Sequence, residues 1–90
     1  MAVEKRFLIE NKLGLHARAA TLLAKLAMEF DAKISIKQGD KVADADSVLA
    51  LMLLESSQGK EVLVHCEGPH QEDALNAVGE LIKAKFNEGE

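Results

Sequence analysis

The chain has 90 residues, enough for one domain of modest core, so residues 1–90 are expected to fold as a single unit around one shared interior. Fifteen acidic against eleven basic residues give a net charge of -4 with no run of five like charges, which argues against a nucleic-acid arm or a membrane-surface patch. Hydrophobic content of 48% with one proline excludes a disordered chain, and the single cysteine, Cys66, excludes an internal disulfide.

A period of two opens the chain: Val3, Phe7 and Ile9 fall on one face and Glu4, Arg6 and Glu10 on the other, with Leu8 the exception on the polar side. This predicts a first strand. After the turn Asn11-Lys12-Leu13-Gly14, the residues Ala20, Leu23, Ala24, Ala27 and Phe30 recur at helical spacing, predicting an amphipathic helix from about Ala17 to Phe30. Ile34 and Ile36 then alternate with Lys33, Ser35 and Lys37, and Gln38-Gly39-Asp40 supplies turn chemistry, so residues 33 to 45 read as a hairpin.

The stretch from Ser47 to Leu54 has no period of two and few β-branched residues, which predicts a short helix capped by Asp44 or Asp46, with a buried strand as the alternative at a length of eight residues. Its apolar run, seven residues from Val48 to Leu54, is too short to span a bilayer. As the first strand also lacks the apolar core of a secretory signal, a cytoplasmic location is expected. A loop follows over Ser56 to Gly59. Val62, Val64 and Cys66 mark a further strand ending at Gly68-Pro69, and the last helix starts near His70 or Gln71 and turns Ala74, Leu75, Val78, Leu81 and Ile82 inward. Asn87 onward is expected to fray. The order β-α-β-β-α-β-α predicts an α/β two-layer sandwich, with helices covering one face of an antiparallel sheet.

If the first helix begins at Ala17, His16 stands at or beside its N-cap, where backbone N–H groups lack intrahelical partners and the helix dipole is positive. An anion on that side chain would meet those donors. Arg18 can bring a planar guanidinium to the same point and fork onto phosphate oxygens, and a largely uncharged imidazole has a nucleophilic ring nitrogen near neutral pH. The arrangement favours a phosphorylated histidine.

The segments "NKLGLHARAA" and "DADSVLALMLLESSQGKEVLVHCEGPHQEDALNAVGELI" resemble the HPr family of phosphocarrier proteins of the phosphoenolpyruvate-dependent phosphotransferase system over nearly the whole chain. Gly-Leu-His-Ala-Arg corresponds to the family's active-site signature. Within the family, "NKLGLHAR" and "DSVLALMLLESSQGKEV" are most similar to the nitrogen-branch carriers. The resemblance implies four antiparallel strands with three helices on one side. It also implies that His16 is phosphorylated on Nδ1 by enzyme I, which draws on phosphoenolpyruvate, and passes the group to an EIIA-type protein, with no cofactor beyond that phosphoryl group. Such a protein is a carrier and not an enzyme acting on a small substrate.

The chain departs from the family at Ala19, where proline is usual. Alanine loosens the helix entry and returns one N–H, so the backbone of Ala17, Arg18 and Ala19 is expected to supply phosphate donors. Family members dock their partners through the first and the short helix, which here assigns Thr21, Leu22, Lys25, Leu49, Met52 and Leu53 to the contact face. Helical spacing agrees, since Val48, Leu51 and Leu54 share one side and leave Leu49, Met52 and Leu53 to solvent. Ser47 matches a position that a serine kinase modifies in some relatives, although a serine there is also a helix cap. A monomer is expected. His65, Cys66 and His70 invite a metal reading, but His65 and Cys66 point to opposite strand faces and no second pair stands at ligand spacing, so no metal is expected. The alternative function is a regulatory partner-binding module of the same fold without obligatory phosphotransfer. His16 argues against it, because relatives specialised that way tend to lack the histidine.

Overall fold

A computed structural model describes residues 1–88. Its elements are β1 (Val3–Leu8), α1 (Ala17–Ala27), β2 (Lys33–Gln38), β3 (Lys41–Asp44), α2 (Val48–Leu53), β4 (Glu61–Glu67), α3 (Gln71–Lys83) and a short 3-10 turn (Lys85–Asn87). All strand pairs are antiparallel, in the spatial order β1-β4-β2-β3, so β4 enters between the first strand and the β2–β3 hairpin. Register places Phe7 opposite Val62, and Ile34 and Ile36 opposite Cys66 and Val64. Because side chains alternate along each strand, this pairing gathers the apolar ones on the face that the helices cover. The other face carries polar cross-strand pairs, with His65 Nδ1 2.9 Å from Glu4 and Arg6 3.7 Å from Glu61. Leu8, Leu63 and His65 lie on this open side, Leu8 exposed and the other two half-buried.

Helix α1 buries Ala19, Ala20, Leu23, Ala24 and Ala27, a stripe at three- and four-residue spacing whose small side chains let the backbone lie close to the sheet. It ends three residues before the predicted Phe30. From Glu29 the bonds shorten to i+3, Glu29 N–H to the Leu26 carbonyl and Phe30 N–H to that of Ala27, which tightens the chain into a turn. The cap of α2 is also not an aspartate. Ser47 holds the extended N-cap conformation and its Oγ accepts from the Ala50 N–H at 3.2 Å, whereas Asp44 closes β3.

The end of the chain differs most from expectation. Asn87 does not open a frayed tail: it completes the 3-10 turn, and Glu88 packs back onto the start of α1, while Gly89 and Glu90 lie outside the described residues. Phe86 anchors this return, wholly buried in the common core. Its spacing of four from Ala74, Val78 and Ile82 extends the inward stripe of α3, a signal legible in the sequence.

Cys66 is fully buried, and desolvation pushes its thiol up to about 11. The native protein at pH 8 is therefore expected to resist iodoacetamide, whereas urea should expose one reactive thiol. Intact mass after brief alkylation checks this, and rapid native labelling would contradict the packing of β4.

Candidate functional site

The loop between β1 and α1 builds the site. Asn11 is fully buried and donates from Nδ2 to the Gly14 carbonyl at 2.8 Å, while Gly14 returns its N–H to the Asn11 carbonyl at 3.2 Å. Gly14 takes φ +62°, and Leu15 N–H then reaches the Ser56 carbonyl at 2.8 Å, pinning the loop to the segment after α2. That turn delivers His16 to the N-cap of α1 in extended conformation.

His16 makes no capping bond with its side chain, and its carbonyl accepts the first helical bond from Ala20 at 2.8 Å. The N–H groups of Ala17, Arg18 and Ala19 consequently lack main-chain partners at the positive end of α1. Ala17 and Arg18 lie on the surface beside the half-buried histidine. Ala19 does not. It was expected to add a third donor, but it begins the buried stripe of α1 and is sealed from solvent, so its methyl serves the core. The Arg18 guanidinium is exposed and has no hydrogen-bond or ion-pair partner among the described residues, leaving it available to an incoming anion.

Glu88 arrives from the far end of the sequence. One carboxylate oxygen meets His16 Nε2, and the other accepts from Asn11 Nδ2 at 3.2 Å. The His16 hydrogen bond holds this carboxyl below its usual range, with Asn11 and the charges of His16 and Arg18 acting in the same direction and burial opposing them. A carboxylate only accepts, so Nε2 carries a proton, and in the neutral ring Nδ1 then presents its lone pair, with no protein partner among the described residues. Beside the ring lies an open depression of about 200 Å³ lined by Leu13, Leu15, Glu55, Ser56 and Ser57.

The remaining sequence-selected residues form a neighbouring surface. Leu49 and Leu53 of α2 are 69% and 64% exposed and Met52 is 40% exposed, while Leu51 and Leu54 are buried, as the three-residue spacing predicted. On α1, Lys25 is exposed, Leu22 is half-buried against the core, and Thr21 returns its hydroxyl to the Ala17 carbonyl at 2.7 Å. Helices α1 and α2 pack against each other, which brings both sets onto one side of the molecule. Ser47 is occupied as the α2 cap. His65 is engaged with Glu4, and the His70 Nδ1 accepts from the Asp31 N–H at 3.4 Å, on different parts of the surface from His16. Among the described residues no helix is long and apolar enough to cross a membrane.

Two features of this site escaped the sequence reading. Nothing local marks Glu88 as a partner of a residue 72 positions away, and Asn11 reads as ordinary turn chemistry until its burial is seen.

The chain is similar to known proteins in sequence and in fold. A family model described as "PTS HPr component phosphorylation site" matches residues 3–84. The phosphocarrier protein NPr of Shewanella violacea is 52% identical over 86 residues, covering 96% of this chain and 94% of its own. NPr of Escherichia coli strain K12 is 40% identical over 89 residues, covering 98% of this chain and 99% of its own. Among solved structures, HPr-C-His from Thermoanaerobacter tengcongensis matches with a TM-score of 0.91 at 38% identity, over 96% of this chain and 97% of that one.

Proposed function

Because the chain belongs to the HPr family of phosphocarrier proteins of the phosphotransferase system, we propose that His16 accepts a phosphoryl group on Nδ1 from phospho-enzyme I and passes it to a histidine of an EIIA-type protein. The observation that carries this reading is the state of the ring: Nε2 is held by Glu88, while Nδ1 is unpaired at the start of a helix with free donors. The chain is a carrier, and the energy of the group it carries is set by its partners.

Transfer between two histidines needs little covalent work from the protein beyond supplying the nucleophile. The phosphoryl group passes through a loose transition state with charge spread over its oxygens, so positioning and charge stabilisation dominate. The N–H groups of Ala17 and Arg18, two exposed residues at the helix start, are donors available to that charge, and the Arg18 guanidinium can swing in as a bidentate partner. All three donors sit at the surface. Solvent and partner therefore reach the group easily, which suits a site that must release phosphate as readily as it binds it.

Docking falls to the exposed side of α1 and α2. Leu49, Met52 and Leu53 present apolar area next to Lys25, and a flexible methionine suits a surface that fits enzyme I and an EIIA-type protein in turn. The similarity to NPr proteins supports a partner of the nitrogen branch.

The test is to incubate the protein with enzyme I, magnesium and phosphoenolpyruvate and to read intact mass before and after mild acid. One acid-labile phosphoryl group is the expected gain. No gain with several enzyme I homologues would defeat the carrier reading and leave a partner-binding module of the same fold.

A further inference from the structure

We propose that the open face of the sheet, the side that no helix covers, is a docking surface for a second copy of this chain, laid face to face with its strands running in the opposite direction. The inference does not depend on the reading of His16, which lies on the helix side of the molecule.

Strand register fixes what this face presents. Across the strands in the order β1-β4-β2-β3, one row is Arg6, Leu63, Lys37 and Val42, and the row two residues along is Glu4, His65, Ser35 and Asp44. The first row is basic with two apolar members. The second is acidic with a histidine. Arg6, Glu4 and Asp44 are exposed, as is Val42 at 60%, while Leu63, His65 and Lys37 are half-buried. Leu8, 49% exposed at the end of β1, adds apolar area at the rim.

The two rows are complementary to each other, so the face is complementary to itself. A two-fold axis lying between the rows and parallel to them sets the basic row of one copy on the acidic row of the other. Arg6 then stands over the second copy's Glu4 and Leu63 over its His65, while Lys37 falls over its Ser35 with its Asp44 one strand away. Each contact occurs twice, as an isologous interface requires. An axis along the strands would instead set Glu4 against Asp44, like charge against like, so charge selects the first arrangement. Stacked sheets keep their strands within about 30° of alignment, a twist that the long side chains of Arg6 and Lys37 can span. The pairs that these residues make within one copy, Glu4 with His65 at 2.9 Å and Arg6 with Glu61 at 3.7 Å, are exposed and of small net worth, so sharing them costs little.

Four strands about 4.8 Å apart and three rows about 7 Å apart make roughly 400 Å² per copy, about half of a standard interface. The net charge of -4 on each copy also opposes the approach. The association is therefore weak and forms at millimolar concentration, with a monomer in dilute solution. Because the helices cover the other face, both copies keep His16 and the α1–α2 side open, and a pair offers two sites at once.

Sedimentation equilibrium of the full chain from micromolar to millimolar concentration tests this, beside amide NMR spectra of the same samples. The wild type should move towards two-chain mass, with concentration-dependent shifts centred on the four strands. Arg6→Glu and Glu4→Arg should each raise the dimer dissociation constant about ten-fold or more, and the double variant should return it to within about three-fold of wild type. The double variant keeps the wild-type net charge, and Glu4→Arg alone makes the chain less acidic, so general repulsion predicts tighter pairing for that variant where the proposal predicts weaker. A wild type that keeps one-chain mass at millimolar concentration overturns the second copy as occupant and leaves the face to another partner. Shifts centred on α1 and α2, folded single variants that pair as the wild type does, or a folded double variant that stays weak would each overturn it as well.

Discussion

His16→Ala is expected to abolish phosphoryl uptake completely while leaving the fold within about 1 kcal/mol of wild type, the size of one lost hydrogen bond. The two halves of that result come from different features. The imidazole makes no capping bond, and the first helical bond is accepted by the His16 carbonyl, which alanine retains. What is lost is one partner of Glu88, whose other oxygen keeps Asn11. No other histidine can substitute, because His65 and His70 are engaged on other elements, away from the helix start and Arg18. Intact mass after the enzyme I incubation, beside a urea unfolding curve, checks both halves. Uptake by the variant at the wild-type level would place the phosphoryl group on another side chain. The acid limb of stability should change as well. Glu88 has a lowered carboxyl, so its contribution is present above the ordinary carboxylate range and is lost as pH falls through its lowered value. Removing His16 removes the largest cause of that lowering, so the variant should lose less stability on acidification than wild type.

Gly14→Ala should destabilise the protein by about 3 kcal/mol, combining left-handed strain with a broken hydrogen bond. A Cβ at this position would lie 2.2 Å from the Ser56 carbonyl oxygen and 2.8 Å from the Ser57 Cα, both backbone atoms that cannot step aside. That same carbonyl accepts the Leu15 N–H, so relieving the clash opens the bond that pins the active loop. Gly39→Ala is the control. Its φ of +58° carries similar strain, but nothing stands within 4 Å, so it should cost only about 1 kcal/mol. Thermal unfolding separates the two, since 1 kcal/mol moves the midpoint of a domain this size by roughly 4–8 °C. Equal losses at both positions would mean that the segment after α2 does not hold the loop. Phosphoryl uptake should also fall in Gly14→Ala, because His16 and the donors beside it are placed by that turn.

Apolar periodicity carried most of the architecture. The alternation in β1 and β4 and the helical spacing in α1, α2 and α3 each state which side is buried, because only one register satisfies both the backbone's hydrogen bonds and the core. Helix ends were less legible, as the i+3 turn after Ala27 and the choice of Ser47 over its aspartate neighbours depend on local backbone conformation. The signature around His16 was readable because it is contiguous: histidine, arginine and the glycine turn all act within one loop and one helix start.

The sequence by itself therefore determined the sheet with its covering helices, the histidine at the start of α1 and the exposed leucines of α2. Only the tertiary structure decided which of the helix-start residues face solvent, removing Ala19 from the donors, and which nitrogen of His16 is left free. That nitrogen is chosen by a carboxylate 72 residues along the chain, brought back by a buried phenylalanine and held by a buried asparagine. Local patterns record burial because it repeats along an element. A single long-range contact between polar side chains has no period, so it exists only once the chain has folded.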